Sequence, residues 1–277
     1  MRAITVAGGN APLARTLANA RGLVALAGAA TPVHAGAERA LLGPFPPAWA
    51  GHGAGGMAGV ALPPGRATAP GLAADAIRAA LRTAPAPLTL VGIAPATNLA
   101  LALATEPALA AAAAEIVLMS GACGPGNATA AAEFNAHADP EALAILAAAG
   151  PRLSLVPLEA GRAVRATPAR IAALAAAGSG RALRTAAAIL TASSSPGDAG
   201  VPLYDPLAIA WLVRPALFRA RPVSLAVDPG PGPARGRTLI SEAAMTEAIG
   251  PTRTRLVEPI DPDGVFALLA GRLARLP

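Results

Sequence analysis

Short apolar runs alternate along this chain with longer Ala/Leu-rich stretches whose apolar positions recur at helical spacing, as expected of an α/β sheet protein. Runs of strand length lie at 3–8 (AITVAG), 31–36 (TPVHAG), 87–93 (PLTLVGI), 115–121 (EIVLMSG), 152–158 (RLSLVPL) and 221–227 (RPVSLAV). Helical spacing covers 12–27, 71–83, 97–104, 107–114, 139–149, 168–177, 180–193, 205–213 and 262–274. Pro12 suits a first helical position, and Asp139-Pro140 and Asp205-Pro206 each read as an N-cap followed by a first-turn proline. Gly28 and Gly150 stand where a left-handed residue would end a helix. No repeat of fixed period occurs. The Gly/Pro-rich stretches 43–66 and 229–237 read as long loops inside one domain spanning 1–277, and a loop as long as the first is more often functional than idle.

Composition changes this picture little. The chain has 277 residues, 54% of them hydrophobic, enough for a sizeable core, although much of that share is alanine. All 22 basic residues are arginine, and together with abundant Ala, Gly and Pro they point to a coding bias. The net charge of +6 is therefore discounted as a nucleic-acid signal: the arginines are scattered and no basic cluster interleaves with stacking aromatics. Cys123 is the single cysteine, so no intrachain disulfide forms and a reducing compartment fits; the thiol reads as a small buried residue rather than a nucleophile. The apolar stretch RGLVALAGAATPVHAG lies too far from the start for a signal peptide. Pro95, Asn98, Glu106, Pro107 and Glu115 interrupt the longest apolar region, leaving no span of membrane-crossing length. A cytoplasmic protein without nucleic-acid or membrane partners is expected.

Polar side chains are scarce and unevenly placed. There is no Gln, and the five Asn are at 10, 19, 98, 127 and 135. In parallel or mixed α/β sheets ligands bind at the carboxyl ends of strands. Gly8-Gly9-Asn10 follows the first predicted strand, Thr97-Asn98 the third and GNATAAAEFNAHADPEA (126–142) the fourth, while Tyr204-Asp205 opens a later helix. Several of these residues have ordinary explanations. Asn10 and Asn98 read as caps, Asp139 and Asp205 as N-caps, His34 and His137 as loop residues, and Met119 as core. Asn127, Glu133 and Asn135 acting together suit a ligand with vicinal hydroxyls, because each hydroxyl both donates and accepts. No Lys or Arg lies in 126–142, which disfavours phosphate. The chain lacks HExxH, GxSxG, a P-loop lysine and paired Cys/His metal spacing.

The runs VGIAPATNLALAL (91–103), IVLMSGA (116–122) and GNATAAAEFNAHADPEA, with ITVAGGN (4–10), HGAGGM (52–57) and YDPLAIAWL (204–212), closely resemble the inosine–uridine-preferring nucleoside hydrolase family. The matches are collinear over residues 3 to about 240. The resemblance implies an open, mostly parallel, Rossmann-like sheet flanked by helices. It also implies hydrolysis of the N-glycosidic bond of purine or pyrimidine ribonucleosides to base and ribose, in nucleoside metabolism and purine salvage, with a calcium-bound water. Carried over by position, Asn10, Asn127, Glu133 and Asn135 would contact the ribose hydroxyls, Met119 would line the sugar pocket and His52 would lie near the base. Asp205 and the Ile93 carbonyl would bind calcium. A homodimer or homotetramer is implied.

Two departures qualify the resemblance. The position before the ligand aspartate, often His in the family, is Tyr204, so any leaving-group protonation there falls to a tyrosine hydroxyl or another donor. The family's D-x-D-x-x-x-D-D cluster, which supplies most calcium carboxylates and the general base, is absent, the first acidic residue being Glu38. No catalytic residue is therefore assigned, and the calcium site is expected to be incomplete. The favoured expectation is a coding sequence that starts upstream. The alternative is a truncated or non-catalytic nucleoside- or ribose-binding member.

Overall fold

The computed structural model describes residues 1–47, 52, 53, 55–149, 152–195, 197, 199–242 and 254–277. Strands β1 (Ile4–Val6) and β2 (Val33–Ala35) pair parallel with each other. Strands β3 (Leu88–Gly92), β4 (Ala113–Met119) and β5 (Leu153–Val156) start a larger sheet, and β6 (Arg165–Ala166) and β7 (Val201–Pro202) form a small antiparallel pair. Strands β8 (Phe218–Val227), β9 (Thr238–Glu242) and β10 (Thr254–Pro259) complete the larger sheet, whose order is β3-β4-β5-β10-β8-β9. Its first four strands run parallel; β8 and β9 are antiparallel to their neighbours. The mostly parallel α/β fold expected from the sequence is the one found.

Ten α-helices accompany these strands among the described residues: α1 (Leu13–Leu26), α2 (Ala73–Thr83), α3 (Thr97–Thr105), α4 (Phe134–Ala138) and α5 (Pro140–Ala148), then α6 (Leu158–Ala163), α7 (Pro168–Ala176), α8 (Arg181–Ala192), α9 (Asp205–Val213) and α10 (Pro262–Leu273). Alternate side chains of a strand point to opposite faces, and the central strands use both for burial. Ile116 and Leu118 of β4, Leu153 and Leu155 of β5 and Leu256 of β10 enter the cluster formed with α2, α3 and α5. Val117, Val156 and Val257 enter the opposite cluster, against α9 and α10. Each fully buried aliphatic side chain contributes about 1.5–3 kcal/mol relative to exposure. At the amino ends of β4, β5 and β10, Glu115 accepts from Arg255 (2.6 Å), from Trp211 Nε1 (3.3 Å) and from the Ser154 hydroxyl. This buried cross-link lies at the opposite end of β4 from the polar segment 126–142.

Several boundaries differ from the sequence reading. Residues 107–114 are not an α-helix: Pro107–Ala112 form a 3-10 turn, and the chain becomes extended at Ala113, where β4 begins to pair with Leu88. Pro12 occupies the N-cap of α1 rather than its first turn, so Asn10 does not cap that helix. Asp205 is the first helical residue of α9 and not its N-cap; Tyr204 takes the cap position without a side-chain bond. Asp139 does cap α5, and Gly28 is left-handed (φ +64°) as expected. Gly150 lies outside the described residues.

Polar contacts around α3 join the separate parts. Asn98 is buried; its Oδ1 accepts from Ala37 N (2.9 Å) and its Nδ2 donates to Val6 O (3.1 Å), holding β1 and the chain after β2 against α3. Asp139, fully buried, accepts from the Thr97 hydroxyl (2.6 Å), Leu41 N (3.0 Å) and Ala142 N (3.1 Å). Asp139→Ala strands these donors, and a buried unpaired donor costs about 1–3 kcal/mol. A loss of about 3 kcal/mol in urea unfolding is expected, with Asp139→Asn losing roughly half as much because it keeps one acceptor oxygen. Both variants unfolding within 0.5 kcal/mol of the parent would contradict this role.

Candidate functional site

Strand β4 ends in Met119, and the chain then makes a left-handed step at Gly121 (φ +75°). A Cβ at Gly121 would sit 2.9 Å from Thr238, so the step depends on glycine. Thr238 Oγ1 bonds both backbone groups of Ala122, accepting from N (3.0 Å) and donating to O (2.8 Å). This clamps the chain leaving β4 to β9. The segment then loops out and returns to Glu133, the N-cap of α4.

Glu133 is buried, and its carboxylate gathers the surrounding backbone. Oε1 accepts from Asn135 N (2.9 Å); Oε2 accepts from Gly121 N (2.9 Å), Ala136 N (3.0 Å) and, at 3.4 Å, the Ser120 hydroxyl. Burial pushes its pKa up, and these four donors oppose the shift. Asn135, also buried, donates Nδ2 to Met119 O (2.9 Å). Asn127, exposed, accepts at Oδ1 from Phe134 N (2.9 Å), which leaves its NH₂ directed away from the backbone. Met119 is 3% exposed and packs with Ala122, Leu158 and the Tyr204 ring.

The other strand ends approach the same place. Gly9 lies against Pro95 and the Phe134 ring, so the Gly8-Gly9-Asn10 turn adjoins the polar segment, with Asn10 exposed. The loop bearing His52 is tied to α1 by the Asn19 Nδ2 bond to Gly55 O (2.7 Å), with Gly56 against Ala11. His52 is half-buried, and burial lowers its pKa. Burial and then the Glu133 charge push the Asp205 carboxyl up to about 7, which makes it a group that exchanges protons near neutral pH. The Tyr204 hydroxyl is pushed up by burial, with Arg162 and Arg165 opposing. Met119, Glu133, Asn135, Tyr204 and Asp205 thus share one neighbourhood, with Asn127 and Asn10 on its border. Ile93 is exposed at the end of β3.

Ser120, Gly121, Thr238 and Arg162 also shape this region and were not singled out in the sequence. The Ser-Gly step after an apolar run is the one local signal that pointed to two of them. Cys123 is exposed, against the expectation of burial, because the clamp at Ala122 turns the following residues outward. His34 lies in β2 and His137 in α4 rather than in loops; each ring bonds a backbone carbonyl, of Pro70 and Arg235 respectively. A separate open cavity of about 510 Å³ lies between Cys123–Pro125 and Pro233–Thr238 and contains none of the expected site residues.

The described residues do not fit a calcium ion. Among them no three His, Cys, Asp or Glu side chains cluster. Calcium takes six to eight oxygens. Of the ligands the resemblance implies, the chain offers only the Asp205 carboxylate and the Ile93 carbonyl among the described residues, and both Glu133 oxygens already accept from protein donors.

The sequence model of the inosine-uridine preferring nucleoside hydrolase family matches residues 1–267, and the chain belongs to that family. An uncharacterized protein of Schizosaccharomyces pombe is 33% identical over 283 residues, covering 99% of this chain and 90% of the relative. The pyrimidine-specific ribonucleoside hydrolase RihA of Salmonella agona is 34% identical over 282 residues, covering 99% and 89%. Among solved structures, the plant nucleoside hydrolase PpNRh1 superposes with a TM-score of 0.91 at 25% identity, covering 99% of this chain and 91% of that one. The purine-preferring ribonucleoside hydrolase of Gardnerella vaginalis gives 0.89 at 25% identity, covering 99% and 90%.

The single thiol offers a direct check of the electrostatics beside the polar segment. Although the residue is exposed, the surrounding loop takes part of the solvent from the Cys123 thiol, and this, then the Glu159 carboxylate, pushes it up to about 11. Alkylation by iodoacetamide at pH 8 should be on the order of 100-fold slower than for an ordinary exposed cysteine. The rate should still be climbing above pH 10. A plateau by pH 9, followed by mass spectrometry, would contradict the shift.

Proposed function

We propose that this protein is a ribonucleoside hydrolase, cleaving the N-glycosidic bond of a ribonucleoside to free base and ribose, with Glu133 at the centre of its ribose site. The observation that carries this reading is the buried Glu133 carboxylate set between the Asn127 and Asn135 amides and beside Met119. Both amides use one end on the backbone, which leaves the Asn127 NH₂ and the Asn135 oxygen for hydroxyls. The 3.4 Å bond from Ser120 is the weakest of the four at Glu133 and is the one a ribose hydroxyl would replace. Cleavage passes through an oxocarbenium-like state whose positive charge is stabilised by a preorganised carboxylate in a site of low dielectric.

Membership of the family and the identity to RihA support this chemistry. Relatives named for pyrimidine and for purine nucleosides both occur, so uridine and inosine are the first substrates to try. The lone cysteine supports a cytoplasmic setting, and the resemblance supports a single domain that assembles as a homodimer or homotetramer in purine salvage.

The test is release of free base from uridine, cytidine and inosine, followed by chromatography with the full chain. Base release is expected from at least one of them. Glu133→Gln should lower kcat/KM at least 100-fold, about 2.7 kcal/mol of transition-state stabilisation, because its amide NH₂ opposes the surrounding N–H donors. Asn127→Ala, which loses a single donor, should cost about tenfold. No base from any ribonucleoside, or Glu133→Gln within threefold of the parent, would contradict the reading.

A further inference from the structure

Helix α6 is only six residues long, yet four of its residues reach the two walls of the proposed ribose site. Glu159 accepts from the N–H groups of Cys123 (3.1 Å) and Gly124 (3.0 Å). Leu158 N donates to Gly121 O (2.9 Å), so the helix starts on the left-handed step itself. One turn later Arg162 spreads its guanidinium over the loop: Nη1 donates to Pro125 O (3.2 Å) and Nη2 to Gly126 O (3.3 Å). The same guanidinium lies near enough to the Tyr204 hydroxyl for its charge to oppose the upward push of burial there. Between these residues, Gly161 is buried, and a Cβ there would collide with the Tyr204 ring. The ring therefore rests directly on the backbone of α6, with its hydroxyl near Arg162.

Helix α6 thus links the loop leading into Asn127, held through Arg162, to the aromatic ring on Met119, which packs against Gly161. Neither wall is otherwise held by a long regular element: the loop from Cys123 to Ala132 has no strand or helix, and Tyr204 precedes α9. A planar guanidinium presents several donors in fixed directions, whereas a lysine ammonium is a point charge on a flexible stem. We propose that Arg162 is a positioning residue of the nucleoside site, fixing the Tyr204 hydroxyl and the Asn127 loop at the separation at which both reach one bound ribonucleoside. This rests on the ribonucleoside reading above. It also gives Tyr204 a role at the position where the family resemblance led to an expectation of histidine: a hydroxyl presented to the ligand by an arginine.

Tyr204 is the only tyrosine of the chain, so full-length protein grown on 3-fluorotyrosine has a single ¹⁹F resonance that reports on this ring alone. Uridine and inosine are the probes. The resonance of the unsubstituted protein should move on adding at least one of them. Arg162→Lys and Arg162→Ala should each shift the resonance of the free protein and weaken nucleoside binding about tenfold, the usual cost of a lost charge-assisted contact. Their melting temperatures should stay within about 2 °C of the parent, since Arg162 is only partly buried and a 1 kcal/mol loss moves a chain of this size by only a few degrees. Should Arg162→Ala fail to fold, Arg162→Lys decides by the same two readings. If the unsubstituted protein binds nucleoside and both variants bind it equally well, the proposal is overturned, whatever the resonance does. If the unsubstituted protein binds neither probe, the ribonucleoside reading itself is overturned, and this proposal falls with it.

Discussion

A carboxylate almost sealed from water, Glu133, receives donors from both ends of the chain that surrounds it: Ser120 and Gly121 where β4 stops, Asn135 and Ala136 where α4 begins. An unpaired charge at that depth would be prohibitive, so the backbone must close around it. That closure fixes the left-handed turn at Gly121, sets the direction of α4 and brings Asn135 onto the Met119 carbonyl. The loop carrying Asn127 is stretched between these points. Thr238 from β9 and α6 then lock the turn from two further sides. The proposed ribose site follows from the way one buried charge is satisfied.

The same charge governs its neighbours. Asp205 is pushed toward neutrality by burial and by Glu133, while burial pushes the Tyr204 hydroxyl up and the arginines beside it oppose that shift. The neighbourhood therefore combines one committed carboxylate, one carboxyl pushed up to about 7 and a tyrosine hydroxyl near Arg162. That set can grip a polyol and stabilise a cationic sugar. It does not supply the oxygen shell of a calcium ion from the described residues.

The fold was largely legible because the buried strands carry unbroken apolar runs such as EIVLMSG, and the helices between them have clear starts like Asp139-Pro140. Elements without such signals were missed. β10 reads TRLVEP, and its charged residues look like a loop until Arg255 is seen paired with Glu115. Helix α6 is too short for periodicity to show. At the site, Asn127, Glu133 and Asn135 stood out because polar residues are so rare. What the sequence hid was their division of labour: Glu133 read as a hydroxyl acceptor, yet nearly all of its capacity serves the backbone. Asp205 before proline resembled a cap, whereas it opens the helix and its carboxyl faces the Glu133 charge. Such roles depend on contacts between residues far apart in the chain, which local pattern cannot encode.

The central claim is that Glu133 organises the ribose segment before any ligand arrives. Amide hydrogen exchange read by NMR at Gly121, Asn135 and Ala136 tests it most directly. Those three N–H groups should exchange only through large-scale opening in the free protein, alongside the β4 amides, and slow further when a ribonucleoside is added. Exchange at the rate of the exposed Cys123–Ala131 loop, unaffected by ribonucleoside, would show that the carboxylate does not hold the segment and would contradict the account.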